Sequence, residues 1–168
     1  MTVHVATIDH DIAALLPRLR RFARSITYNH EDGDDLVQVA LERALSRAGQ
    51  WEAGTRLDSW LFRIMKNAWI DEVRSRIRRD QLFASEELGE HVGDGFAEAH
   101  QQRMAIQKAM SLLSDDHRLV IGLVLVDGMA YKEAADVLDV PMGTLTSRLA
   151  RAREALQGLL SDQARTVA

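Results

Sequence analysis

Apolar residues along this chain recur at helical rather than alternating spacing. Ile12, Leu15, Leu16, Leu19, Phe22, Ala23 and Ile26 share one face and predict a first helix over roughly residues 11–28. Pro17 lies inside that pattern, so the helix either begins near Ala14, with Pro17 in its first turn, or kinks there. The polar run from Asn29 to Asp34 predicts a loop ending in an N-cap. A second helix is expected from about Asp34 to Ala48, with Leu36, Val37, Ala40, Leu41, Ala44 and Leu45 inward. After a loop from Gln50 to Leu57, Asp58 or Ser59 can cap a long third helix reaching about Arg79, whose core positions are Leu61, Ile64, Met65 and Ala68. Trp60 and Trp69 are expected in the core, whereas Trp51 suits core packing and base stacking equally.

The pattern then breaks. Between residues 81 and 102, Glu86, Glu87, Glu90, Asp94 and Glu98 alternate with Gly89, Gly93 and Gly95, which predicts a flexible acidic linker. Helical spacing resumes from Arg103 to Leu113; Ser114-Asp115 then caps a helix containing Leu119, Val120, Leu123 and Val124, and Asp127-Gly128 ends it. Tyr131, Ala134, Ala135 and Leu138 form the next apolar face, and the paired alanines allow a second helix to cross closely. Leu138-Asp139-Val140 interrupts the spacing without the glycine often found in such a turn, and Pro141 opens a new helix. There Leu145, Leu149, Ala152 and Leu156 face inward; Thr146, Ser147, Ala150, Arg151 and Glu154 face outward. These two helices predict a helix-turn-helix, and the tail beyond about Leu160 is expected to fray. The fold class is therefore all-α, with two small helical domains at residues 10–80 and 103–160 joined by the linker at 81–102.

Composition narrows the function. The chain has 168 residues, no cysteine and only two prolines, which excludes disulfides and thiolate metal sites and fits a cytoplasmic location. No secretory signal pattern and no long apolar run occurs, so membrane insertion is not expected. The formal net charge of −4 is unfavourable for unaided DNA binding, but it is unevenly distributed. His10 to Asp80 carries 13 basic and 11 acidic side chains, whereas Gln81 to Asp115 carries 2 and 6. No phosphate-binding glycine loop and no convergent His/Asp/Glu set points to an enzyme, a metal or a cofactor.

Three polar faces remain as candidate chemistry. Asp35, Gln38 and Glu42 recur along one side of the second helix, which by itself describes a solvated surface. On the third helix Arg63, Lys66, Asn67, Arg74 and Arg78 lie near one another, placing an amide among phosphate-binding cations beside the tryptophan loop; that combination suits separated DNA strands. The outward hydroxyls and arginines of the last helix suit a major groove.

In order and spacing, Asp34-Asp35-Leu36-Val37-Gln38, then Ser59-Trp60-Leu61-Phe62-Arg63-Ile64 with Asn67, Asp71 and Arg74, and finally Leu113 through Asp139-Val140-Pro141-Met142-Gly143-Thr144 with Ser147-Arg148-Leu149 and Arg151-Ala152-Arg153 resemble the bacterial extracytoplasmic-function sigma factors of the sigma-70 family. The resemblance covers about residues 11–160. It implies that Asp35, Leu36, Gln38 and Glu42 dock on the β′ clamp helices of core RNA polymerase, with β as a further contact. Trp51, Glu52 and Arg56 then belong to the loop that captures a flipped −10 base, and Arg63, Lys66, Asn67, Arg74 and Arg78 to the face that engages the melted −10 strand. Thr144, Thr146, Ser147, Arg148, Ala150, Arg151 and Arg153 correspond to the −35 element reader. Thr146 stands where the family is often basic and Ala150 where it is often larger, which implies a weaker or differently specified −35 reading. The implied partners are core polymerase, promoter DNA and an anti-sigma factor, and the linker would thread the polymerase cleft. Two other classes stay open: a sigma mimic that binds only an anti-sigma factor, and a stand-alone helix-turn-helix regulator.

Overall fold

The computed structural model describes residues 2–82 and 97–167, all of whose regular elements are helical. In chain order these are α1 (Thr2–Thr27), α2 (His30–Ser46), a short 3₁₀ turn (Ala48–Gln50), α3 (Leu57–Leu82), α4 (Ala97–Leu112), α5 (Asp115–Ile121) continuing as a π turn (Gly122–Val126), α6 (Tyr131–Leu138) and α7 (Met142–Val167). The core of the proposed linker, residues 83–96, lies outside the described residues, while its expected ends at 81–82 and 97–102 are helical. No described helix is long and apolar enough to cross a membrane.

Several helix boundaries differ from those expected. α1 starts at Thr2 rather than near residue 11, and buried Ile8 extends the apolar stripe one turn before Ile12. Pro17 stays inside the helix; it and Ala13, whose carbonyl loses its usual donor, both face solvent, where water can replace the bond. α2 begins at His30, not Asp34: the Asn29 side chain accepts from the Asp32 backbone N–H at 2.7 Å and is the true cap. Gly33 is buried within that first turn rather than forming a loop, and a Cβ there would lie 2.8 Å from Arg24 Cγ, so it serves close packing of α1 on α2. Leu45, expected inward, is exposed, since α2 ends before another helix covers it. Ser114 does cap α5, accepting from the His117 N–H. The tail does not fray at Leu160: α7 continues to Val167, with Leu156 and Leu159 packed on the core.

α1, α2 and α3 form one bundle around Leu19, Phe22, Ile26, Leu61, Phe62 and Met65, with the Phe22 and Phe62 rings edge to face at 5.2 Å. α4 to α7 form a second around Val120, Leu123, Val137, Leu145 and Leu149, and the two share one continuous apolar core. The π turn lies against α1 so closely that a Cβ on Gly122 would sit 2.9 Å from Phe22 Cε2, and only glycine permits the approach. Asp127, with a fully buried carboxylate, then receives Arg18 Nη2 at 2.8 Å. Arg118 completes this junction. Its guanidinium donates to the carbonyls of Met110, Ser111 and Leu113 at the end of α4 and to Ile26 at the end of α1, and lies over the rings of Tyr28 and Trp69. One cation thus satisfies carbonyls left open by two helix C-termini, where positive charge is favoured.

Candidate nucleic-acid and docking faces

The helix-turn-helix is formed by α6 and α7. Ala134 and Ala135 are buried where the two cross, and Leu145, Leu149 and Ala152 hold the inner face of α7. The turn carries Asp139 in the left-handed region, φ 53° and ψ 45°, which explains how it dispenses with glycine: a short polar side chain tolerates that conformation better than most. With the inner stripe buried, Thr144, Thr146, Ser147, Ala150, Arg151 and Arg153 are all exposed. The hydroxyls of Thr146 and Ser147 donate to the backbone carbonyls of Met142 and Thr144. Neither Arg151 nor Arg153 has an ion-pair partner among the described residues, so both guanidinia are available. Arg148 differs: it is half-buried and pairs with Asp116 at 3.4 Å, tying α7 to the start of α5.

The face of α3 is divided. Asn67, Arg74 and Arg78 are exposed with no ion-pair or hydrogen-bond partner among the described residues. Lys66, expected among the exposed cations, is instead 6% exposed, because α6 packs over it and brings Asp139 Oδ2 within 3.4 Å of its ammonium. Arg63 donates to the Asp136 carbonyl at 2.7 Å. In the preceding loop Trp51 is half-buried against the core and its indole N–H has no partner, while the Glu52 carbonyl accepts from Thr55 and Gly54 takes φ 93° to turn the chain. Arg56 pairs with Glu133 of α6 and, at 2.8 Å, with Asp58. Hydrogen bonds from Arg56 hold the Asp58 carboxyl down at about 2, against the opposing pull of burial, with the Ser59 N–H and Arg18 assisting.

On α2, Asp35, Gln38 and Glu42 are exposed in a row, and Gln38 Nε2 lies 3.4 Å from Glu42 Oε1. They line a groove between α2 and α3 floored by Trp69 and flanked by Asp71 and Arg76. Leu36, grouped with them from the sequence, is only 7% exposed: it closes the core beneath the groove rather than standing on the surface. Sequence inspection missed the acids of α6 that meet the α3 cations, and it missed Arg118. The one signal available for the first was an aspartate at a turn position that favours glycine.

Residues 12–66 match the family described as the Sigma2 domain of PhyR, and residues 103–156 match Sigma-70, region 4. The chain is 35% identical to the ECF RNA polymerase sigma factor EcfG of Rhodopseudomonas palustris (strain TIE-1), over 92% of this chain and 85% of the relative. It is 34% identical to the ECF RNA polymerase sigma factor SigM of Mycobacterium tuberculosis (strain ATCC 35801 / TMC 107 / Erdman), over 95% and 82% respectively. Among solved structures, it is similar to the sigma factor RpoE in complex with the anti-sigma factor NepR from Bartonella quintana, with a TM-score of 0.76, 33% identity, and 91% of this chain and 96% of that chain covered. The chain therefore belongs to the extracytoplasmic-function (ECF) sigma factors of RNA polymerase.

Proposed function

We propose that this protein directs core RNA polymerase to promoters by reading a −35 element in duplex form and capturing the melted −10 strand. The observation that carries the reading is the outer face of α7, where two arginines without ion-pair partners among the described residues stand beside exposed hydroxyls while the opposite face is locked in the core. The row Asp35, Gln38 and Glu42 is the docking face for the β′ clamp helices, with β as a further contact. Residues Trp51 to Arg56 and the exposed Asn67, Arg74 and Arg78 take the −10 strand, joined by Arg63 and Lys66. Residues 10–80 and 103–160 are the two working units, with 81–102 between them in the polymerase cleft. Two DNA contacts on one holoenzyme raise each other's effective concentration, so the free chain need not be basic overall. The protein acts in the cytoplasm without catalysing a reaction of its own. A relative solved with its anti-sigma factor supports expecting such a partner here.

A second reading, a sigma mimic that only sequesters an anti-sigma factor, draws on the match of residues 12–66 to a PhyR domain. The exposed Asn67, Arg74 and Arg78 favour the initiation factor, because a mimic has no use for a strand-binding face. Run-off transcription with bacterial core polymerase on a genomic promoter library separates the two. Transcripts that require this protein and share −35 and −10 elements support initiation; tight core binding without transcripts, or no core binding at all, rejects it.

A further inference from the structure

The contact of α3 and the residue before it with α6 and its C-cap sets three cations of one half of the molecule against three acceptors of the other. Arg56 donates to Glu133, Arg63 donates to the Asp136 carbonyl and lies 3.8 Å from Asp139, and Lys66 lies 3.4 Å from Asp139. With Lys66 only 6% exposed, a DNA phosphate cannot reach its ammonium while α6 stays in place. Asp139 is itself informative. Its backbone sits at φ 53°, where glycine is unstrained, yet the residue carries a carboxylate, and that carboxylate meets both Arg63 and Lys66. Behind this charged contact, Gly122 against Phe22, Arg118 on the Ile26 carbonyl and Arg18 on Asp127 hold the halves together through a buried junction.

We propose that the chain, when not on polymerase, is closed by its own helix-turn-helix, with Glu133, Asp136 and Asp139 occupying the −10 cations in place of promoter phosphates. The inference rests on the assignment of Arg56, Arg63 and Lys66 to the −10 strand. The closed form leaves Asp35, Gln38 and Glu42 and the outer face of α7 exposed. It is therefore competent to meet core polymerase and a −35 duplex, but not to hold a melted strand. Strand capture requires α6 to leave α3, so opening precedes capture. A chain whose competent state is a minor one binds single strands more weakly by the fraction that is open.

The chemistry of the chain permits a direct test. It has three lysines, Lys66, Lys108 and Lys132, so zero-length carbodiimide coupling followed by peptide mapping should find a Lys66–Asp139 amide in the free full-length protein. If that amide is absent while Lys66 reacts with small amine reagents as readily as Lys108 and Lys132, the closed form is overturned. The companion measurement is binding of a fluorescein-labelled single-stranded oligothymidine to the full-length variant E133Q/D139G, in which glycine suits the turn. Affinity should rise roughly three- to tenfold over the unmodified chain, as expected when exposed ion pairs cease to hold a two-state contact. A charge-matched control, D11N/E31Q, should change it less than about twofold. Equal binding by E133Q/D139G and the control overturns the masking. If the opened variant binds tighter but R63A in the same background changes nothing, the −10 assignment fails and the masking with it, while the amide still reports closure.

Discussion

Arg118 directs its donors at the carbonyl ends of two helices that come from opposite halves of the chain. Burial pushes its guanidinium pKa down, with Asp115 opposing, yet an arginine this far above neutrality stays charged. Truncation leaves several buried carbonyls without donors, so Arg118→Ala should lower unfolding stability by about 3–5 kcal/mol in urea titration. Arg118→Lys should recover less than half of that loss, since an ammonium lacks the planar fork. Asp58 makes a prediction in pH. Its folded carboxyl titrates at about 2, below its unfolded value, so the stability it contributes is complete at neutral pH and disappears as pH falls from about 4 to about 2. Asp58→Asn should lower stability at pH 7 and flatten that acid limb in thermal melts; an unchanged limb would remove the Arg56–Asp58 hydrogen bonds as its cause. Spacing marked Asp58 only as a candidate N-cap, with Ser59 as the alternative, whereas α3 already begins at Leu57 and Asp58 lies inside it bound by Arg56 and Arg18. Arg118 carried no mark, because a charged residue on a helix looks solvated until its neighbours in space are known.

At the scale of elements, α2 and α7 present their exposed faces from rigid helices, and each face supports a specific expectation. Arg151→Ala should leave folding intact, since the side chain is exposed, and cost about 1–3 kcal/mol at one base position of the preferred −35 element in a promoter-library assay. Loss of transcription spread evenly over all sequences would instead make Arg151 a phosphate contact. Asp35→Arg reverses charge at the N-terminal end of the docking row and should reduce core polymerase affinity at least about tenfold in a fluorescence titration, with the melting temperature unaltered. The helical stripes behind both faces were readable from periodicity, because buried and exposed positions alternate with the helix turn. Boundaries were less so. Asn29 rather than Asp34 caps α2, and Gly33 sits inside the helix, because close packing on Arg24 overrides the loop preference of a Gly/Asp run. The π turn had no sequence signal; it exists where Gly122 and its neighbours press against α1.

For the whole molecule, charge and closure act together. With Arg56, Arg63 and Lys66 engaged by α6, few cations remain to release counterions from DNA. The free chain should therefore bind duplex weakly, with a slope of log affinity against log salt of only about −2 to −4, and the holoenzyme far more steeply. Filter binding across a salt series measures both slopes, and a steep slope for the free chain would contradict the closed arrangement. The sequence by itself determined the all-α class, the helix-turn-helix and the outward faces of α2 and α7, because these depend on residues near one another along the chain and on helical periodicity, and the family through the resemblance of its motifs in order and spacing. Only the tertiary structure decided that Lys66 is buried, that Leu36 belongs to the core, that Arg118 joins two bundles and that α6 covers part of α3. Those outcomes depend on which surfaces meet across more than 70 residues of chain, as Lys66 and Asp139 do, and a local pattern carries no information about such a meeting.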